Sequence, residues 1–283
     1  MFERLSNGWE MAQESYRVLK LDKELLFFPL FSGICCTIVM ASFLVPAFAS
    51  EEVRAMLDNP DAAAENPLVW VLTFLFYFLN YFVIVFFNSA LVACAIIRFR
   101  GGDPTVADGF RAAGKRLPVI FGWALVSATV GILLRAIESR NEKVGAIVSA
   151  ILGAGWTIAT YFVVPVLVVE NVGPVDAVKR SWGVMRKTWG ESIGANFGVG
   201  FIVFLGSIVC FLPLFGGGFL LAQGSTALGG ALIVIGLIGL MIVSLVSSAL
   251  NTIILAALYL YASDHEAPQN FDQRLLRNAF ATR

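Results

Sequence analysis

Across 283 residues, 58% are apolar, 14% are charged and Phe alone occurs 24 times, which is the composition of an integral membrane protein and not of a soluble domain. The formal net charge is zero, so no global positive field argues for a nucleic-acid partner. Four cysteines, Cys35, Cys36, Cys94 and Cys210, all lie in apolar runs without metal-ligand spacing and read as small packing residues.

The chain opens on a helical pattern in which Phe2, Leu5, Trp9, Ala12, Tyr16 and Leu19 step by three and four. This predicts an amphipathic helix over residues 1–20, followed by a first span from Leu25 to Phe48 with Pro29 in its opening turn. Ala47-Phe48-Ala49 has the spacing of a signal-peptidase site. The long acidic start and an apolar run longer than the ~7–15 residues of a signal core argue against cleavage. A polar, acidic loop over 49–67 leads to a second span, Leu68 to Ile97, which is dense in aromatics and carries Asn80 and Asn88 within about a quarter turn of each other.

Residues 98–116 predict another amphipathic helix, capped by Asp103 with Pro104 first, striped by Val106, Phe110, Ala113 and Leu117, with Arg111 and Lys115 off the stripe. Asp108-Gly109-Phe110-Arg111 faintly echoes the metal-binding motif of CDP-alcohol phosphotransferases. Ala113 stands where that family has Arg, and the downstream Asp pair is missing, so the enzyme reading is rejected. A third span runs from Leu117 to Ile137, with Arg135 near its end. The fourth, Val144 to Val169, has small residues every fourth position (Gly145, Ser149, Gly153, Thr157) and a kink expected at Pro165.

Gly173 and Pro174 then break the chain into a basic amphipathic helix over 174–190. Its stripe is Val175, Val178, Trp182, Met185 and Trp189. Arg180 and Lys187 point away from that stripe, Lys179 and Arg186 flank it, and Val184 sits on the polar side and does not fit. Span five is expected from Ser192 to Leu214, with a Gly194/Gly198 packing face and an end at Pro213 and Gly216–Gly218. Span six, Ala227 to Tyr261, carries a polar stripe of Ser244, Ser247, Ser248 and Asn251, and a tail over 263–283 holds Phe271, Leu275 and Phe280.

The expected fold is therefore all-α: a polytopic membrane helical bundle of six transmembrane helices plus three cytoplasmic amphipathic interfacial helices. The order amphipathic helix, span, loop, span occurs three times, over 1–97, 103–170 and 174–262, which reads as a threefold pseudo-repeat within one membrane domain, 1–262. Of the 20 Lys and Arg, 16 fall on the side of the N-terminus, the second and fourth loops and the tail. Only Arg54, Arg135, Arg140 and Lys143 fall opposite. Excess basic residues stay on the cytoplasmic side, so both termini are expected there, in an inner membrane.

Lys23-Glu-Leu-Leu-Phe-Phe-Pro-Leu-Phe-Ser-Gly33, Phe162-Val-Val-Pro-Val-Leu-Val-Val-Glu170, Lys179-Arg-Ser-Trp182 and Ala257-Leu-Tyr-Leu-Tyr-Ala262 resemble an uncharacterised prokaryotic multi-pass membrane family, domain of unknown function family 6159. The layout of proline followed by Ser-Trp is also loosely similar to the membrane domain of some glycerophosphodiester phosphodiesterases, without a counterpart of their soluble catalytic domain. The resemblance implies a multi-pass membrane protein and brings no activity with it.

Catalysis is not expected. His265 is the single histidine, and there is no nucleophile elbow, phosphate loop or metal cluster. The expected function is a non-catalytic membrane scaffold or lipid- and partner-binding module without cofactor. Its partners would be the bilayer and anionic lipid head groups, with a protein partner or second copy open. The interface residues would be Lys179, Arg180, Trp182, Arg186, Lys187, Trp189, Arg111, Lys115 and Trp9. The alternative is a passive transporter or permease-like protein for a small or lipid-like substrate, using an intramembrane polar site of Asn80, Asn88, Ser244, Ser248 and Asn251. A continuous cavity along those residues would favour it over a closed apolar bundle.

Overall fold

The computed structural model describes residues 2–51, 66–140 and 144–264. Residues 52–65 of the expected loop over 49–67, His265 and the tail residues Phe271, Leu275 and Phe280 lie outside the described residues. Among the described residues all regular structure is helical: α1 (Phe2–Leu21), a 3₁₀ turn (Lys23–Leu26), α2 (Phe27–Ala49), α3 (Pro67–Phe99), α4 (Val106–Lys115), α5 (Leu117–Arg140), α6 (Val144–Ala159), α7 (Val163–Glu170), α8 (Pro174–Ala222) and α9 (Thr226–Asp264). Among the described residues, six helical stretches are long and apolar enough to cross a membrane: Lys23–Pro46, Pro67–Phe99, Leu117–Glu138, Val144–Glu170, Val203–Ala222 and Thr226–Ser263. Many of their outward side chains are large and apolar, with Phe215 74% exposed, as a bilayer favours.

The chain divides into two compact units. One comprises Leu30–Ala93 and Thr105–Arg186. In it, Asn66 Oδ1 accepts from the Leu68 N–H at 2.9 Å and caps α3, whose first residue is Pro67. Phe74, Phe78, Phe82 and Phe86 stack at every fourth position of α3, and Phe78 meets Phe121 of α5 edge-on at 5.0 Å. Phe110 of α4 packs on Phe86 and Phe87. The small-residue face of α6 meets α5 as its spacing predicts. A Cβ on Gly145 would lie 2.5 Å from the Ile137 carbonyl oxygen, and one on Gly153 would lie 3.7 Å from Leu134 Cδ1. Thr157 is exposed and turns its hydroxyl to the Gly153 carbonyl.

Three boundaries differ from expectation. α4 is capped by Thr105, not Asp103. The Thr105 hydroxyl accepts from the Asp108 N–H while the Asp108 carboxylate accepts from the Thr105 N–H, and this reciprocal pair satisfies two end groups at once. The fourth span is two helices, broken over Thr160–Phe162, because the ring of Pro165 crowds the carbonyl four residues earlier. α7 ends at Glu170 through Asn171 in the left-handed region (φ 53°), ahead of Gly173.

The second unit comprises Met1–Pro29, Cys94–Pro104 and Lys187–Arg283. α1 packs along α9, burying Met11, Ala12, Ser15, Val18 and Leu19 on one side and Ala249, Leu250, Ile253, Ala256 and Ala257 on the other. The predicted stripe of α1 splits as a result. Ala12 and Leu19 turn inward, while the rings of Trp9 and Tyr16 stay exposed, because short side chains let the two helices approach. At the end of α1, buried Asp22 holds Arg98 through both carboxylate oxygens, and Arg98 also pairs with Asp103. That pairing is where Asp103 is used in place of the cap.

α8 is continuous from Pro174 to Ala222, so the basic segment and span five are one helix, and Pro213 and Gly216–Gly218 lie inside it. Gly216–Gly218 do not terminate the helix, because Gly217 serves an approach of backbones instead. A Cβ on Gly217 would sit 2.7 Å from the Gly229 carbonyl oxygen of α9, and one on Gly229 would sit 2.8 Å from that of Gly217. Gly236 and Gly239 continue the seam against Leu214 and Cys210. Gly194 and Gly198 lie outside the residues whose surroundings are described. Gly229→Leu should lower the melting temperature in detergent, since overpacking costs about 1–3 kcal/mol. Gly230→Leu, beside it with open space around the Cα, should leave it unchanged.

Candidate functional site

The segment from the break in the fourth span to the start of α8 is organised around one buried hydrogen bond. Phe162 has lost its helical carbonyl partner, and its N–H donates to Ser181 Oγ at 3.0 Å, with both residues fully buried. In an apolar surrounding an unpaired N–H costs about 1–3 kcal/mol, so this contact fixes the rotation of α8. Two more contacts tie the same region. Arg116 Nε donates to the Val168 carbonyl at 3.1 Å, near the C-terminal end of α7, and Arg180 Nε meets Glu170 Oε2 at 3.2 Å.

With Ser181 inward, the face of α8 that packs on its own unit is Ala177, Ser181 and Met185, with Val184 half-buried beside it. The predicted stripe is therefore corrected. Met185 turns inward, Val178 is half-buried, and Val175 and Trp182 point out, 66% and 43% exposed. Val175, Lys179, Trp182 and Arg186 follow at steps of four, three and four and form one exposed face. Arg180 is engaged by Glu170, and Lys179 reaches Asp176 at 3.2 Å in an exposed pair that holds it weakly. The side chains of Lys187 and Trp189 lie outside the described residues. α1 has a comparable face in Trp9, Gln13, Tyr16 and Lys20, all exposed, with Lys20 Nζ 4.8 Å above the Tyr16 ring.

In α4, Arg111 and Lys115 are exposed, and Arg111 Nη1 lies 3.3 Å from Asp108 Oδ1. The Thr105 hydroxyl, then the Thr105 N–H, hold the Asp108 carboxyl below its ordinary value of 3.8, and Arg111 acts in the same direction.

The residues of the expected polar site belong to both units, Asn80 and Asn88 to the first described and Ser244, Ser248 and Asn251 to the second. Asn80 Nδ2 donates to the Phe76 carbonyl of its own helix at 2.8 Å, and Asn88 is half-buried. Asn251 Nδ2 reaches Ser247 Oγ at 3.4 Å. Ser244, Ser247 and Ser248 of α9, with Ser207, Val203, Leu240 and Val243, line a cavity of about 420 Å³ in the second unit. Pattern reasoning missed Ser181. Its only signal was that Pro165 must release backbone groups for which some side chain has to provide a partner.

The six apolar helical stretches among the described residues define a multi-pass, all-α membrane protein. Residues 68–269 match the family of unknown function DUF6159, well over half of the chain, so the protein belongs to that family. No curated protein matches it.

Ser181→Ala should destabilise the protein in detergent by about 1–3 kcal/mol in thermal or chaotrope unfolding, because the Phe162 N–H is left unpaired. Gly183→Ala on the exposed face should not. A second expectation concerns pH. With its folded value lowered, Asp108 contributes to stability above the ordinary carboxylate range and loses that contribution as pH falls through its folded value. Hydrogen-exchange protection at residues 106–109 should drop selectively in acid, and Asp108→Asn should remove that pH dependence.

Proposed function

We propose that the protein is a non-catalytic membrane scaffold whose basic face binds the anionic head groups of the cytoplasmic leaflet. One observation carries the reading: Val175, Lys179, Trp182 and Arg186 share the exposed face of α8, which runs on toward the candidate span Val203–Ala222. Tryptophan favours head-group depth, and each nearby cation contributes about 1 kcal/mol at an anionic surface. Exposed Trp9, Tyr16 and Lys20 on α1, and exposed Arg111 and Lys115 on α4, support head-group contacts of the same kind within each unit. The distribution of Lys and Arg, 16 of 20 on one side, supports a cytoplasmic location for both termini in an inner membrane. The triple recurrence of helix and hairpin over 1–97, 103–170 and 174–262 supports descent from a repeated unit.

The serine-lined cavity beside α9 favours a second reading, a passive permease for small neutral solutes. Solute flux into proteoliposomes that Ser244→Leu blocks would decide for it.

Cytoplasm-dependent reporters fused after Arg116, Gly190 and Arg283 should be active, and those after Glu65, Asn141 and Gln223 silent. Cytoplasmic signal after Glu65 or Gln223 would overturn the topology. The full-length protein should retain phosphatidylglycerol over phosphatidylcholine in native mass spectrometry. Lys179→Glu with Arg186→Glu should remove that preference, and an unchanged preference would reject the surface.

A further inference from the structure

The end of α5 remote from Arg116 carries chemistry that the interfacial reading does not use. Tyr77 of α3, Gly131, Leu134, Arg135 and Glu138 of α5, and Ser149 of α6 line a cavity of about 480 Å³ within the first unit, a size that holds a small molecule or head group. Gly131, Arg135 and Glu138 follow at steps of four and three, so one face of α5 presents a guanidinium and a carboxylate side by side. Among the described residues the two groups form no ion pair with each other. Close packing holds the wall in place. Gly145, at the start of α6, presses against the carbonyls of Ile137 and Glu138, at a separation where a Cβ would lie 2.5 and 3.0 Å from them. The candidate span ends at Glu138, so Arg135 and Glu138 lie in its last turn, where charged groups are favoured over the middle of a span.

We propose that this cavity binds the head group of a zwitterionic primary-amine phospholipid, with Arg135 taking the phosphate and Glu138 the ammonium. Guanidinium and phosphate match in charge and donor geometry. The carboxylate of Glu138 only accepts hydrogen bonds, so it selects an ammonium that still carries N–H groups over a quaternary one. The Tyr77 and Ser149 hydroxyls can serve either part. Leu134, with Val148 and Leu152 exposed on α6 beside Ser149, gives the acyl chains an apolar track that a soluble zwitterion would not need. An anionic lipid without an amine would leave Glu138 facing like charge, which is how the site differs from the basic face of α8. It shares no residue with that face, so either can fail alone.

The test uses the full-length protein in detergent, with native mass spectrometry against phosphatidylethanolamine, phosphatidylcholine and phosphatidylglycerol of identical acyl chains. One phosphatidylethanolamine should bind about tenfold or more tighter than either other lipid, the scale of one charge-assisted contact. Glu138→Gln should abolish the preference over the choline lipid and Arg135→Gln should weaken binding at this site, while Thr157→Ala, exposed and outside both lipid sites, leaves both unchanged. Both positions are exposed on a helix, where glutamine preserves the fold. Equal binding of ethanolamine and choline lipids, a preference over choline that survives Glu138→Gln, or ethanolamine-lipid affinity unchanged by Arg135→Gln, overturns the proposal. Free O-phosphoethanolamine supplies the remaining arm. Competition by it at concentrations that match the lipid would assign the site to a soluble zwitterion and overturn the lipid source.

Discussion

A buried backbone N–H must find an acceptor, and at Phe162 the acceptor is Ser181 Oγ. Pro165 interrupts the fourth span, the interruption frees Phe162, and a residue far along the chain completes it. That hydrogen bond rotates the first turns of α8 until Ala177 and Met185 face the protein and Val175 and Trp182 face out. The exposed cations follow from the same rotation. Arg180 is drawn to Glu170, and Lys179 and Arg186 are left on the outer face with Trp182. Which side of the helix stays exposed is thus a consequence of satisfying one N–H at a helix break.

The second unit meets a comparable demand with charge. Arg98 ends a long apolar helix and is held by Asp22, which is buried at the end of α1, and by exposed Asp103. A buried pair of this kind gains little net free energy over an apolar contact, but removing one partner strands the other. Its structural effect is to set where α1 meets α3, and so which side of α1 faces α9. The glycines of α8 and α9 act by the opposite route, with no polar group at all. Without side chains at Gly217 and Gly229 the two backbones close to van der Waals distance, where dispersion holds helices together when water is absent.

The described polar groups in the spans are dispersed in the same economical way. Asn80 bonds its own helix, Thr157 and Thr160 turn their hydroxyls to carbonyls four residues back, and Asn251 reaches Ser247. Such local bonds satisfy a polar side chain without gathering it with others. The two cavities arise elsewhere, one lined by hydroxyls and one by groups of opposite charge at the end of a span.

The amino-acid sequence by itself located the six apolar stretches found among the described residues, though not the break in the fourth or the end of the fifth, because a span is a matter of length and composition and needs no partner to be recognised. It also determined the helical face of Gly145, Ser149 and Gly153, since small residues at every fourth position can only be close-packed against something. It did not determine which face of α1 or α8 turns inward. Periodicity put Trp9, Tyr16, Val175 and Trp182 on the same stripes as Leu19 and Met185, for in these helices two environments accept apolar groups, the protein and the lipid. Only the tertiary contacts separate them: α9 against α1, and Phe162 against Ser181. The continuity of α8 through Pro213 and Gly217 was hidden for a related reason. Residues that end a helix in water are tolerated in an apolar one, where an unwound backbone would have no water to bond.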